Sequence, residues 1–146
     1  MSLDWLIIGG GIHGVHIAAR LIGEAKVDPT TIRVVDPGER LLDRWLTCTA
    51  TTGMTHLRSP AVHNIDVRPL SLLQYAGKRR SRKPGLFMGR YKRPRLTLFN
   101  DHCEKVITDY GLDALHVRAR VVSCTVGPDR VVATLSSGEE LSLIHI

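Results

Sequence analysis

The 146 residues predict an α/β domain: a short parallel sheet entered through a strand–helix–strand unit, then a small antiparallel meander. Three observations carry this. A glycine-rich turn, "GGGIHG" at residues 9–14, separates an apolar run from a segment with helical periodicity. An acidic residue, Asp36, closes a second apolar run 22 residues after Gly14. The stretch "LHVRARVVSCTVGPDRVVATLSSGEEL" reads as strands broken by turns.

The elements follow in order. Leu3 to Ile8 is apolar and short, as a buried strand is. Val15, Ala18, Ala19, Ile22 and Ala25 share one face of a helix running from Ile12 to about Ala25. Asp28-Pro29 breaks it, and Ile32 to Val35 forms a second strand that ends in Asp36-Pro37-Gly38. From Glu39 to Arg95 no second strand–helix–strand repeat follows. "RPLSLLQYAG" suggests a short helix stopped by Gly77. Pro94 precedes a longer helix with Leu96, Phe99, Cys103, Val106 and Tyr110 on one face, and Gly111 stands where a C-terminal cap belongs. Beyond it, Gly127-Pro128-Asp129 and Ser137-Gly138 mark turns. The alternation of apolar residues shifts phase between Val121 and Val122, which predicts a bulge where the chain leaves the parallel sheet for the meander.

Composition narrows the classes. A hydrophobic content of 43% suits a packed globular chain, and no apolar run approaches the ~20 residues that span a bilayer. The N-terminus has no basic region before its apolar stretch, so it reads as a strand rather than a targeting segment. Cys48, Cys103 and Cys124 are widely spaced, without the pairing of a zinc site or a redox dithiol, and a reducing cytoplasm is the expected compartment. The net charge of +6 is local: Val67 to Asn100 holds ten of the 20 basic residues and no Asp or Glu.

The turn Gly9-x-Gly11-x-x-Gly14 sits between strand and helix, the setting of a Rossmann-like dinucleotide fold. Gly9 permits the tight turn, Gly11 lets the backbone approach a pyrophosphate, and Gly14 lets helix and strand pack closely. The helix start then offers unpaired N–H groups and a positive dipole end to phosphate. Asp36 is placed to accept hydrogen bonds from ribose hydroxyls. Gly9, Gly11, Ile12, His13, Gly14, Asp36 and Pro37 are therefore the expected cradle. The irregular excursion followed by helix and meander favours FAD over NAD, because an NAD domain would continue with another strand–helix repeat.

Together "GGGIHG", "RWLTCTATTGMTHLRSPAVHNID" and "RPRLTLFNDHCEKVITDYGL" resemble the FAD/NAD(P)-binding proteins related to lysine and ornithine N-hydroxylases, over Leu3 to about Glu140. The resemblance implies a flavin-dependent N-monooxygenase that uses NADPH on a small molecule such as an amine. It implies that Trp45 and the segment Met54 to Arg58, with His56 and Leu57, lie near the flavin, and that the Val121 backbone reaches the adenine. A later Ala-Thr-Gly-type turn and a second glycine fingerprint are missing, so NADPH is expected to bind a domain outside these residues. No catalytic side chain is identified. An NAD(P)-dependent dehydrogenase and a non-enzymatic dinucleotide- or nucleic-acid-binding module stand as the alternatives.

Other residues have two readings each. His13 either approaches the pyrophosphate or faces solvent. Arg58 either opposes a negative charge on the flavin or a phosphate, or makes a surface salt bridge. His56 and His63 lack a third ligand, and no metal is expected. Cys103 belongs to the core, and His102 beside it is not its catalytic partner, since adjacent helical residues diverge. The basic segment 78–95 reads as a solvated loop, then as a lid for an anionic substrate or NADPH; Phe87 and Tyr91 among the cations would suit nucleic acid, but no nucleic-acid fold surrounds them. No membrane partner is expected. Residues 1–140 are expected to be the N-terminal part of an FAD-binding domain. "LSLIHI", residues 141–146, matches the translation of a transposase adapter end and is expected to be a non-native tail.

Overall fold

The computed structural model describes residues 3–79 and 85–144. The elements are β1 (Trp5–Ile8), α1 (Ile12–Gly23), β2 (Ile32–Asp36), α2 (Asp43–Thr51), α3 (Ser71–Arg79), β3 (Phe87–Met88), β4 (Arg93–Pro94), α4 (Leu96–Tyr110), β5 (His116–Arg118), β6 (Val121–Val126), β7 (Arg130–Leu135) and β8 (Glu140–Ile144).

β2 is the centre of a parallel sheet ordered β1-β2-β5. It carries Ile32, Val34 and Val35, all buried, as a strand covered on both faces must. Its register sets Ile8 against Val35 and Asp36 against Arg118, so Asp36 stands at the strand's C-terminal end, level with the turn after β1. Helices α1 and α4 pack core side chains beside this sheet: Val15, Ala18 and Ala19 from one, Leu98, Phe99, Cys103, Val106 and Ile107 from the other. Each larger side chain among them contributes about 1.5–3 kcal/mol by leaving water. Cys103 is fully buried, as its place in the helical pattern predicts, and burial pushes its thiol pKa up. α4 ends at Gly111, whose φ of 64° is the left-handed cap the sequence indicated.

The meander β6-β7-β8 is antiparallel, with its register shift between Val121 and Ser123, at the predicted bulge. β5 still pairs with β2, and the chain crosses from one sheet to the other at Ala119-Arg120. Leu141 to Ile144 belong to β8, and Leu3 bridges Leu143.

Two expectations fail. β1 is not a buried strand: it lies at the edge of the order β1-β2-β5, and Trp5 and Ile8 are exposed. α3 does not stop at Gly77 but runs on to Arg79. A helical glycine costs only about 1 kcal/mol, and the buried Leu72 and Ala76 hold this helix to the core. Arg80 to Pro84, the middle of the basic segment, lie outside the described residues. Among the described residues no helix is long and apolar enough to cross a membrane.

Candidate functional site

The turn between β1 and α1 is shaped by three different demands on glycine. Gly9 has φ +106°, a conformation that L side chains rarely adopt. At Gly14 an added Cβ would lie 1.8 Å from the Gly9 carbonyl oxygen and 3.3 Å from Ile7 Cγ2, so helix and strand meet where only hydrogen fits. Gly11 is otherwise. Its φ of −77° and ψ of −171° are open to any residue, and a Cβ there would meet nothing within 4 Å. Nothing in the chain requires glycine at 11. The space its missing side chain leaves lies at the N-terminus of α1, which has no side-chain cap and no acid in its first turn. An anion laid against this turn would meet backbone donors and the positive end of the helix.

Gly10, whose role the sequence did not reveal, is the pivot of the cradle. Its N–H donates to Asp36 Oδ2 at 2.8 Å, and its carbonyl accepts from the Leu42 N–H at 2.7 Å. A Cβ on Gly10 would sit 2.9 Å from Leu41 Cδ2. Gly38 N–H donates to Asp36 Oδ1 at 2.7 Å. Both carboxylate oxygens of Asp36 thus tie the glycine turn to the loop after β2, and each oxygen keeps lone-pair capacity for a hydroxyl donor. Leu42 holds its side of the clamp with φ +65°, unusual for a leucine, and is buried. The turn is therefore preformed from both flanks.

The other expected residues fall as follows. Ile12 is half-buried against the core, and His13 and Pro37 are exposed. Trp45, on α2, donates its indole N–H to Asn100 Oδ1 at 3.0 Å and meets Phe99 edge-on, with ring centroids 5.7 Å apart. Met54 packs against the core and Leu57 is buried. His56 forms a bridge with Arg95, and Arg58 is exposed with no carboxylate at ion-pair distance among the described residues. Val121 opens β6, opposite Leu135 and three residues beyond the Asp36–Arg118 pair. Among the described residues no three His, Cys, Asp or Glu are grouped to hold a metal.

A second polar cluster was invisible in the sequence because its members are far apart in it. Asp66, buried, accepts from the Ser71 hydroxyl, from Arg68 Nη2 at 3.0 Å and from the Tyr110 hydroxyl at 2.9 Å. Burial raises its pKa, but these donors outweigh burial and hold it at about 2. The Ser71 proton is thus committed to Asp66, and His102 Nε2, 2.9 Å from Ser71 Oγ, serves as the donor to it. His102 Nδ1 is then bare, and it has no partner among the described residues. Burial drops the His102 pKa to about 4. Serine, histidine and aspartate occur together here without the order of a hydrolytic triad: the carboxylate touches the serine, not the imidazole. The arrangement is structural. A further bond, His16 Nδ1 to the Ile65 carbonyl at 2.9 Å, ties α1 to the loop that carries Asp66.

A parallel sheet, a preformed glycine turn at a helix start and an acid at the end of the second strand define a dinucleotide-binding α/β domain. The chain belongs to the FAD-NAD(P)-binding family, whose model matches residues 6–146. No sequence among the curated proteins matches it significantly. Several solved structures share the fold at low identity. A flavin monooxygenase from Stenotrophomonas maltophilia is 16% identical with a TM-score of 0.58, over 97% of this chain and 36% of that one. A cyclohexanone monooxygenase from Rhodococcus sp. Phi1, bound to NADP+, is 14% identical with a TM-score of 0.66, over 98% and 25%. A bacillithiol disulfide reductase from Staphylococcus aureus is 16% identical with a TM-score of 0.56, over 98% and 36%. The chain therefore spans about a quarter to a third of the proteins it is similar to.

Proposed function

We propose that the chain is the FAD-binding part of an FAD-dependent oxidoreductase of the N-monooxygenase type, with NADPH as the reductant. The carrying observation is Gly11: an unstrained position with open space beside a helix start, where the missing side chain serves only an incoming group. The fit favours a pyrophosphate. The N–H groups of Ile12, His13 and Gly14 would face it, and Asp36 would receive the ribose hydroxyls while holding Gly10 and Gly38. The excursion through α2 and the segment 54–58, followed by α4 and the meander, supports FAD over NAD. Bound FAD would supply hydride acceptance and oxygen activation; the chain's own part is to hold and orient it. Trp45 and Met54 would border the flavin from the core side, and the Val121 backbone would meet the adenine. That the solved relatives include both monooxygenases and a disulfide reductase leaves the choice of N-oxygenation to the sequence resemblance.

The test uses the Gly11→Val variant. Valine suits the extended backbone at 11 and its Cβ meets nothing within 4 Å, so the variant should fold, with about 1 kcal/mol lost at the helix cap. FAD titration followed by flavin fluorescence should show saturable binding by the wild type and none by the variant. A folded Gly11→Val protein that binds FAD with unchanged affinity removes the basis for this reading.

A further inference from the structure

We propose that the small sheet around β4 presents a binding face for a compact polyanion, a small molecule bearing clustered carboxylate or phosphate groups. β4 is flanked on one side by β3, with Met88 opposite Arg93, and on the other by the 55–57 segment, with His56 opposite Arg95. The Leu57 N–H donates to the Pro94 carbonyl and the Leu96 N–H to the Thr55 carbonyl, both at 2.9 Å, which fixes that second pairing. Residues directly opposite share a face, and residues two apart on a strand share it too. One face therefore collects Leu57, Pro94 and Phe87, and these are buried or half-buried. The other collects Met88, Arg93, Arg95 and His56, with Arg58 two residues further on.

That outer face is one-signed. Among the described residues no carboxylate lies at ion-pair distance of Arg58, Arg93 or Arg95, whereas Arg40, Arg68 and Arg118 each have one. The hairpin tip adds Arg90 and Lys92 at the same edge, both exposed. Like charges held on adjacent strands repel, and a bound anion would offset that repulsion. Arginine forks favour oxyanions that present two oxygens at once, which points to carboxylate or phosphate rather than a lone halide. Arg93 and Arg95 are about 7 Å apart along their strand. His56 sits across from Arg95, so one compact anion can engage several of these groups together.

The test is a titration of the isotope-labelled 146-residue chain with citrate and, separately, with tripolyphosphate, followed by amide NMR shifts. It needs no flavin, so it reads this face whether or not FAD binds the glycine turn. Saturable shifts at residues 56–58, 88, 93 and 95 are expected. Comparing the two probes tells a carboxylate site from a phosphate site. Met88→Asp sets a carboxylate opposite Arg93 without removing any arginine, and should weaken binding about tenfold. Arg93→Gln with Arg95→Gln should weaken it about a hundredfold, and Arg130→Gln on β7 should leave it unchanged. If the double variant fails to fold, Met88→Asp still decides. Shifts confined to residues 9–14, equal weakening by Arg130→Gln, or saturation only by a single-stranded oligonucleotide would each overturn the proposal.

Discussion

His102 makes the fold's stability depend on pH. In the folded chain burial holds its pKa at about 4, against about 6.5 when exposed. A buried histidine with a depressed pKa stays neutral while the unfolded chain takes up its proton. Between those two values the unfolded state binds more protons, so stability rises with pH there and falls on acidification. At about 1.4 kcal/mol per pH unit, the full difference is about 3 kcal/mol. About 2 kcal/mol of it is lost between pH 7 and pH 4.5. The depressed Asp66 acts in the same sense but lower down. Its contribution is complete above about pH 4 and is lost as pH falls toward 2, so it does not blur the histidine window. Urea unfolding of the wild type and of His102→Gln at pH 7 and 4.5 measures the effect. Glutamine can still donate to Ser71 but does not titrate. The wild type should lose about 2 kcal/mol more than the variant between the two pH values. Equal losses would mean that His102 is not held neutral by its burial, and the proton assignment through Ser71 to Asp66 would fail with it.

Three substitutions test the rest. Gly14→Ala places a Cβ 1.8 Å from the Gly9 carbonyl, so the turn must move; about 3 kcal/mol of stability should be lost in thermal or urea unfolding, in contrast to the mild Gly11→Val. Asp36→Ala removes the acceptor for Gly10 and Gly38 N–H as well as the expected ribose partner, and should weaken FAD binding by about 1–3 kcal/mol by fluorescence titration. Asp66→Ala leaves the Ser71 and Tyr110 hydroxyls without their acceptor and should cost about 3 kcal/mol of unfolding free energy.

What the sequence disclosed was local. The glycine turn, Asp36, the periodic face of α4, its Gly111 cap and the bulge near Val121 each depend on neighbours within a few residues. Periodicity and turn chemistry report such neighbours directly. What stayed hidden depends on contacts across the chain. Gly10 reads as spacing between fingerprint glycines until Asp36, 26 residues on, is seen to hold its N–H. Leu42 carries no local sign of a left-handed backbone. Ser71 and His102 stand 31 residues apart, and Tyr110 and Asp66 stand 44 apart. Gly77 misled because helix propensity is weak beside the burial of Leu72 and Ala76. Within the candidate site, the turn position of Gly9, Gly11 and Gly14 and the strand-end position of Asp36 were legible. The engagement of the Trp45 indole by Asn100 was not.

The end of α1 remote from the glycine turn meets the ring of Tyr110, where a Cβ on Gly23 would lie 2.7 Å from Cε1. The hydroxyl of that tyrosine reaches Asp66, and His16 midway along α1 grips the Ile65 carbonyl. The helix that would carry a phosphate at its front is thus fastened at its middle and back to the buried acid network. Ligand free energy delivered at the turn is therefore shared with that network. Amide exchange at residues 65–68, 70–72 and 102–110 should slow when the turn is filled, although none of them lies in the turn itself.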